Sequence, residues 1–353
     1  MGDKRPSGKG AGLRIAQSSA PRHATQRAKR RSAWQWRRKA MVKVNAPRTP
    51  TRPKQASREE TGDHGSDLSA KEGEVVEERA NLRALAVYEV IRREGVEELR
   101  RPVASLWWSG IAAGLTIGFS IVGEGLLHTH LPDAGWREVV ESLGYSIGFL
   151  IVILGRYQLF TETTITAVLP VLSEPSWRGV GALLRMWVVV LVANLVGTAL
   201  FGAALASGLF LPAEIGEGIF AISRHLAELT PQDAFLRGIL GGWLVATVVW
   251  LLPSAEQARF GVILILTSLI SALELSHVIS GSVEMFTLLF AGEVGAGQAA
   301  AILLPLLAGN IVGGSALVAL LAYGQVREEM TEPDGDQPSL KDDTAPESLR
   351  GPA

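Results

Sequence analysis

The sequence contains no cysteine, and between residues 102 and 325 it contains no lysine. The first absence excludes thiolate metal ligands. The second is part of a wider shortage: those 224 residues hold 7 arginines and 14 acids, far below the roughly 25% charge of a soluble domain. The whole-chain averages hide this, with 34 Lys+Arg against 35 Asp+Glu, a net charge of −1 and 47% hydrophobic residues. Residues 1–58 carry 17 basic residues and one acid, Asp3; residues 59–101 carry 7 basic and 12 acidic, and residues 326–353 carry 3 and 8. An ordinary two-domain soluble protein, which a length of 353 residues would suggest, is excluded. Metal-spaced histidines and a Gly-rich phosphate loop are also lacking, so no metal, cofactor, enzyme activity or nucleic-acid partner is expected. Thr161, His277 and a glutamate imitate a catalytic group, but nothing places an activated nucleophile.

What is present is apolar sequence of membrane-crossing length, about 20 residues per span. Six stretches qualify: 102–123, 143–172, 180–210, 234–253, 260–290 and 298–322. The second and fifth are too long for one simple span, and both contain polar breaks. Arg92, Arg93, Arg100, Arg101, Arg178, Arg185, Arg259 and Arg327 gather towards one side, against Arg137, Arg224 and Arg237 on the other. The positive-inside rule then places both termini in the cytoplasm, with the chain crossing the bilayer several times.

The organisation read from these patterns has four parts. Residues 1–73 form a disordered basic tail, rich in Arg, Ser, Pro and Gly. Its Trp34-Gln35-Trp36-Arg37-Arg38-Lys39 cluster suits anionic lipid, and its Arg-rich start also mimics a transit peptide. It reads equally as an extended appendage or as sequence upstream of a true start at Met41 or later. Residues 74–101 form an amphipathic helix on the cytoplasmic face, residues 102–325 a six-span channel domain, and residues 326–353 an acidic disordered tail.

The two halves of the membrane region echo each other. Gly110-Ile-Ala-Ala-Gly114 resembles Gly238-Ile-Leu-Gly-Gly242, and Asn194-Leu-Val-Gly197 resembles Asn310-Ile-Val-Gly313. The breaks around Glu162 and Glu284 follow a similar offset. The fold class expected is therefore an all-α membrane protein of two inverted three-helix repeats, because an odd number of spans per repeat reverses topology. Glycines four apart are expected at close helix crossings.

Few ionisable residues remain away from the span ends: Arg156, Glu162, Glu274, His277 and Glu284. Charge at membrane depth is costly, so these residues face a cavity or one another. His277 has the chemistry to meet a permeating weak acid. Glu162 and Glu284 are read as equivalent between the repeats, either capping half-helices and pairing with Arg156 or shaping selectivity. Asn194 and Asn310 are expected to support the loops.

At these residues the chain resembles the formate/nitrite transporter family, over about residues 87–325. Val87-Tyr-Glu-Val-Ile-Arg-Arg-Glu-Gly95 is similar to the family's amphipathic helix, and Leu159-Phe160-Thr161 to its Leu-Phe-Thr loop. His277 matches the family's central histidine, and Asn310-Ile-Val-Gly-Gly314 its last-helix signature. The resemblance implies an aquaporin-like fold in a bacterial inner membrane and a homopentamer with one pore per protomer for small monovalent anions. It places Leu159, Tyr145 and Phe149 near the cytoplasmic constriction, with Phe160 beside them, Thr161 on the gating loop and His277 at the centre. The sequence departs from the family pattern at Ser276, where a Glu is usual, at Arg156, where a Gly is usual, and at Gly241-Gly242, where Cys-Asn is usual. A pore for a neutral or cationic solute, or a non-conducting scaffold, stands as the alternative.

Overall fold

A computed structural model describes residues 83–328, all of whose regular structure is helical. The expected tail of residues 1–73 and residues 329–353 of the acidic tail lie outside the described residues, as do residues 74–82 of the expected amphipathic helix.

Helix α1, Ala84–Leu99, buries Val87, Tyr88, Ile91 and Gly95, a stripe at helical spacing. On its exposed side, hydrogen bonds from Arg92 and then Arg93 hold the Glu89 carboxyl down at about 2. Pro102 then opens α2, Val103–His130. Next come α3 (Arg137–Leu154), two short helices α4 (Phe160–Thr166) and α5 (Val168–Ser173), and α6 (Trp177–Ala206). The second half runs α7 (Ala213–Ala227), α8 (Pro231–Leu251), α9 (Arg259–Ala272), α10 (Val278–Ala291) and α11 (Ala296–Ile311). A π-helical segment, Val312–Ala319, and α12, Leu320–Val326, complete it.

Among the described residues, four helical stretches are long and apolar enough to cross a membrane: Val103–His130, Trp177–Ala206, Pro231–Leu251 and Ala296–Val326. The other apolar sequence is divided into shorter helices. Backbone leaves the helix between Leu154 and Phe160 and again between Ala272 and Val278. The start of α6 is capped by Ser176, whose hydroxyl accepts from the Gly179 N–H, and the start of α8 by Thr230, with Pro231 in the first turn.

Helices pack without side-chain spacers where they cross. A Cβ on Gly114 of α2 would lie 2.2 Å from the Asn194 carbonyl of α6, and one on Gly242 of α8 would lie 2.4 Å from the Asn310 carbonyl of α11. Backbone contact of this kind needs glycine. Helix α1 lies against α4, α5 and α12, so the two ends of the described chain share one side.

Helix α7 fills the stretch between the third and fourth apolar runs. Its Ile215, Ile219, Ile222 and Leu226 follow a helical period behind Pro212, and it packs on α2 and α10. Its charged residues and its short apolar stripe place it outside any hydropathy window.

Candidate functional site

The non-helical segments at 155–159 and 273–277 begin in the same way. After α3, the Arg156 N–H bonds to the Ile153 carbonyl and the Tyr157 N–H to the Val152 carbonyl; after α9, Glu274 bonds to Ser271 and Leu275 to Ile270. Both are Schellman closures, which place one residue in the left-handed region and favour glycine there. Here those residues are Arg156, at φ 54°, and Glu274, at φ 50°.

Each segment is then fixed by a buried asparagine. Asn194 accepts from the Phe160 N–H at 2.8 Å and donates to the carbonyls of Gly110 and Gln158. Asn310 accepts from the Val278 N–H at 2.8 Å and donates to the carbonyls of Gly238 and Ser276. One side chain thus ties the first N–H of a short helix to the preceding loop and to a neighbouring long helix, twice over.

These bonds put Phe160 in register with Val278. Glu162 therefore corresponds to Ser280, and the expected equivalence of Glu162 and Glu284 is wrong by four residues. The 122-residue offset between the two glutamates hid the 118-residue offset of the helix starts. Glu284 is also neither a cap nor a partner of Arg156: it sits mid-α10, and Arg156 reaches Glu94 at 3.5 Å. Glu274 lies on the left-handed turn, where Arg237 pairs with it at 2.8 Å.

His277 is the residue before α10, and its Nδ1 accepts from the Ser280 N–H at 3.1 Å. That bond assigns the ring proton to Nε2, which lies 2.6 Å from the Thr161 hydroxyl on α4. The short helices therefore meet through one hydrogen bond, with His277 at 1% exposure and Thr161 at 0%. Phe149 stands edge-on to the imidazole at 5.0 Å between centroids, and Tyr145 is 5.3 Å from Phe149. Leu159, fully buried, precedes α4. Phe160 turns aside to pack on Trp187 of α6.

Two cavities approach this cluster from opposite sides. The proximal one, beside α1, has about 560 Å³ and is lined by Glu94, Glu98, Arg156, Gln158 and Glu162 among others. One Glu162 carboxylate oxygen is buried there with no hydrogen-bond partner. The distal one, about 490 Å³, is lined by Tyr145, His277, Gly281, Glu284, Glu124 and Glu141 among others. Leu159 and Phe149, both fully buried, line neither.

Sequence reasoning missed two features of these walls. Glu124 was placed outside the first span because the apolar window ended at 123, yet α2 continues to His130 and buries Glu124 to 9% exposure. Gln158 was read only as part of a polar break. Its side-chain amide donates to Glu98 at 2.9 Å and accepts from Arg101, while its carbonyl receives Asn194, so α1 is bonded directly to the segment carrying Leu159.

Comparison with known proteins agrees with this architecture. The family model described as formate/nitrite transporter matches residues 85–324. The inner membrane protein YfdC of Escherichia coli is 40% identical over 262 residues, 74% of this chain and 84% of that protein. The formate channel FocA of Haemophilus influenzae is 32% identical over 163 residues, 44% of this chain and 56% of its own length. Among solved structures, an FNT family ion channel superposes with a TM-score of 0.60 at 19% identity, covering 68% of this chain and 98% of its own. A pentameric formate channel with formate bound gives 0.53 at 23% identity, covering 64% and 98%. With its apolar helices, the protein is a multi-pass membrane protein, and the chain belongs to the formate/nitrite transporter family.

Proposed function

We propose that this protein is an inner-membrane channel for small monovalent weak-acid anions of the formate and nitrite class, and that it works as a homopentamer with one pore per protomer. Six spans arise if α3 with α4–α5, and α9 with α10, each count as one broken span. The shared asparagine clamps and Schellman turns support reading the halves as inverted repeats. Both described ends lie on the arginine-rich side, which the positive-inside rule assigns to the cytoplasm.

The observation that carries the reading is the His277–Thr161 contact at 2.6 Å between two cavities. A permeant reaching the cluster replaces the Thr161 hydroxyl as acceptor of the Nε2–H. It then crosses the apolar ring of Leu159 and Phe149 as the neutral acid, with a proton taken from water in the cavity it leaves and returned to water in the cavity it enters, because a bare anion there is costly. Glu162 and Arg156 set the polarity of the proximal mouth, and the Tyr145 hydroxyl and Glu284 that of the distal side.

The test is flux in proteoliposomes. His277→Asn or His277→Phe should lower formate and nitrite flux at least about tenfold, the scale of one lost charge-assisted contact. Unchanged flux of every anion in the variants would remove the histidine from the pathway. A second reading, a pore for neutral or cationic solutes, is favoured by the glutamates lining both cavities. Uptake of glycerol or ammonium with no uptake of formate, nitrite or acetate would select it.

A further inference from the structure

The walls of the distal cavity carry more negative charge than its arginines balance. Arg137 is engaged by Glu141, which also meets His128 at 3.1 Å, and Arg237 is engaged by Glu274. Among the described residues, Glu124 then has only the Ser271 hydroxyl as donor. Glu284 has no hydrogen bond or ion pair to any described residue, although it is only 9% exposed and lines the cavity. It lies seven residues after His277, the residue before α10, and three after Gly281, so all three share the face that closes the cavity. Two carboxylates thus enter one narrow space without a cation. Like charges so placed are mutually unfavourable, and a buried charge needs a partner.

We propose that Glu124 and Glu284 form a binding site for a small monovalent cation, an alkali metal ion or ammonium, at the inner end of the distal cavity. Its position beside His277 makes the cation a neighbour of whatever solute crosses, and the site does not depend on that solute's identity. Oxygen count disfavours Ca2+, which takes 6–8: with Ser271 donating to Glu124, two carboxylates and the Tyr145 hydroxyl are too few. No cluster of three or more His, Asp or Glu suited to a metal occurs among the described residues. The His277 ring nitrogens are already committed to Ser280 and Thr161.

The test is direct binding to the purified full-length protein in detergent. Thermal unfolding is followed while Na+, K+ or NH4+ chloride replaces N-methyl-D-glucamine chloride at constant ionic strength. A saturable rise in the transition temperature with at least one of the three is expected, since a ligand of the folded state stabilises it. Glu284→Gln and Glu124→Gln should each raise the half-saturating concentration at least about tenfold, the effect of deleting one charge at ion-pair distance. Glu138→Gln, at the exposed rim, should leave it unchanged. Glu284→Asp keeps the charge and guards against misfolding of the Gln variants: it should retain cation-specific stabilisation. Absence of any difference among the four cations, or an unchanged half-saturation in both Gln variants, overturns the site. Neither outcome bears on anion flux, which is measured separately.

Discussion

Arg156 shows how a residue can be costly in one respect and retained in another. Its φ of 54° is a conformation that an L-residue with a Cβ adopts at a cost of about 1–2 kcal/mol. Its side chain is 77% exposed and meets Glu94 only at 3.5 Å, a contact of little value in water. Arg156→Gly should therefore stabilise the fold by about 1 kcal/mol, less the added freedom of the unfolded glycine. Thermal unfolding in detergent reads this, and a lowered transition temperature would show that the guanidinium contributes more than its geometry indicates. The departure from a family glycine was visible in the sequence. Its physical meaning, a left-handed closure shared with Glu274, was not, because backbone conformation at one residue leaves no periodic trace.

Helix α1 is an element whose helical spacing was legible and whose buried face and connection were not. The apolar period ran through Leu85, Ala86, Val90, Ile91 and Val96, yet the buried residues are Val87, Tyr88, Ile91 and Gly95 while Val90 is exposed, and a polar bond between distant loops has no sequence period. In the fold, Glu98 accepts from Gln158 at 2.9 Å and from Thr166 at 2.8 Å. Burial pushes the Glu98 carboxyl above its ordinary value, the bonds from Gln158 and Thr166 oppose the rise, Glu94 adds to it and Arg101 offsets it. The docked helix thus holds that proton more tightly than the undocked chain. Docking is strongest below the ordinary carboxylate range and weakens as pH rises through and above it. Glu98→Gln keeps an acceptor for Gln158 and removes the charge. Protection of α1 from proteolysis should then lose its decline as pH rises above the ordinary carboxylate range. The same decline in wild type and variant would assign the pH response elsewhere.

For the whole molecule, charge and apolar length revealed the membrane class and the long helices, because burial in lipid demands uninterrupted apolar surface and punishes charge. They misplaced Glu124 and the Glu162–Glu284 correspondence for the same reason: hydropathy windows locate apolar runs, whereas helix ends and registers are set by hydrogen bonds such as those of Asn194 and Asn310. The near-neutral −1 of the full chain combines a basic first 58 residues with acidic sequence elsewhere. The family match begins at residue 85 and α1 at Ala84, so every side chain of the cluster, both cavities and the α1–Gln158 bonds lie beyond residue 73. Removing residues 1–73 should therefore leave anion flux per protomer within about twofold of the full chain, because every described side chain of the cluster and of both cavities is kept. It should also leave the oligomer unchanged by native mass spectrometry. A channel keeps its conductance under this truncation. A scaffold whose function resides in its basic segment has no flux to keep, and loss of an established flux would place part of the gate in the segment itself.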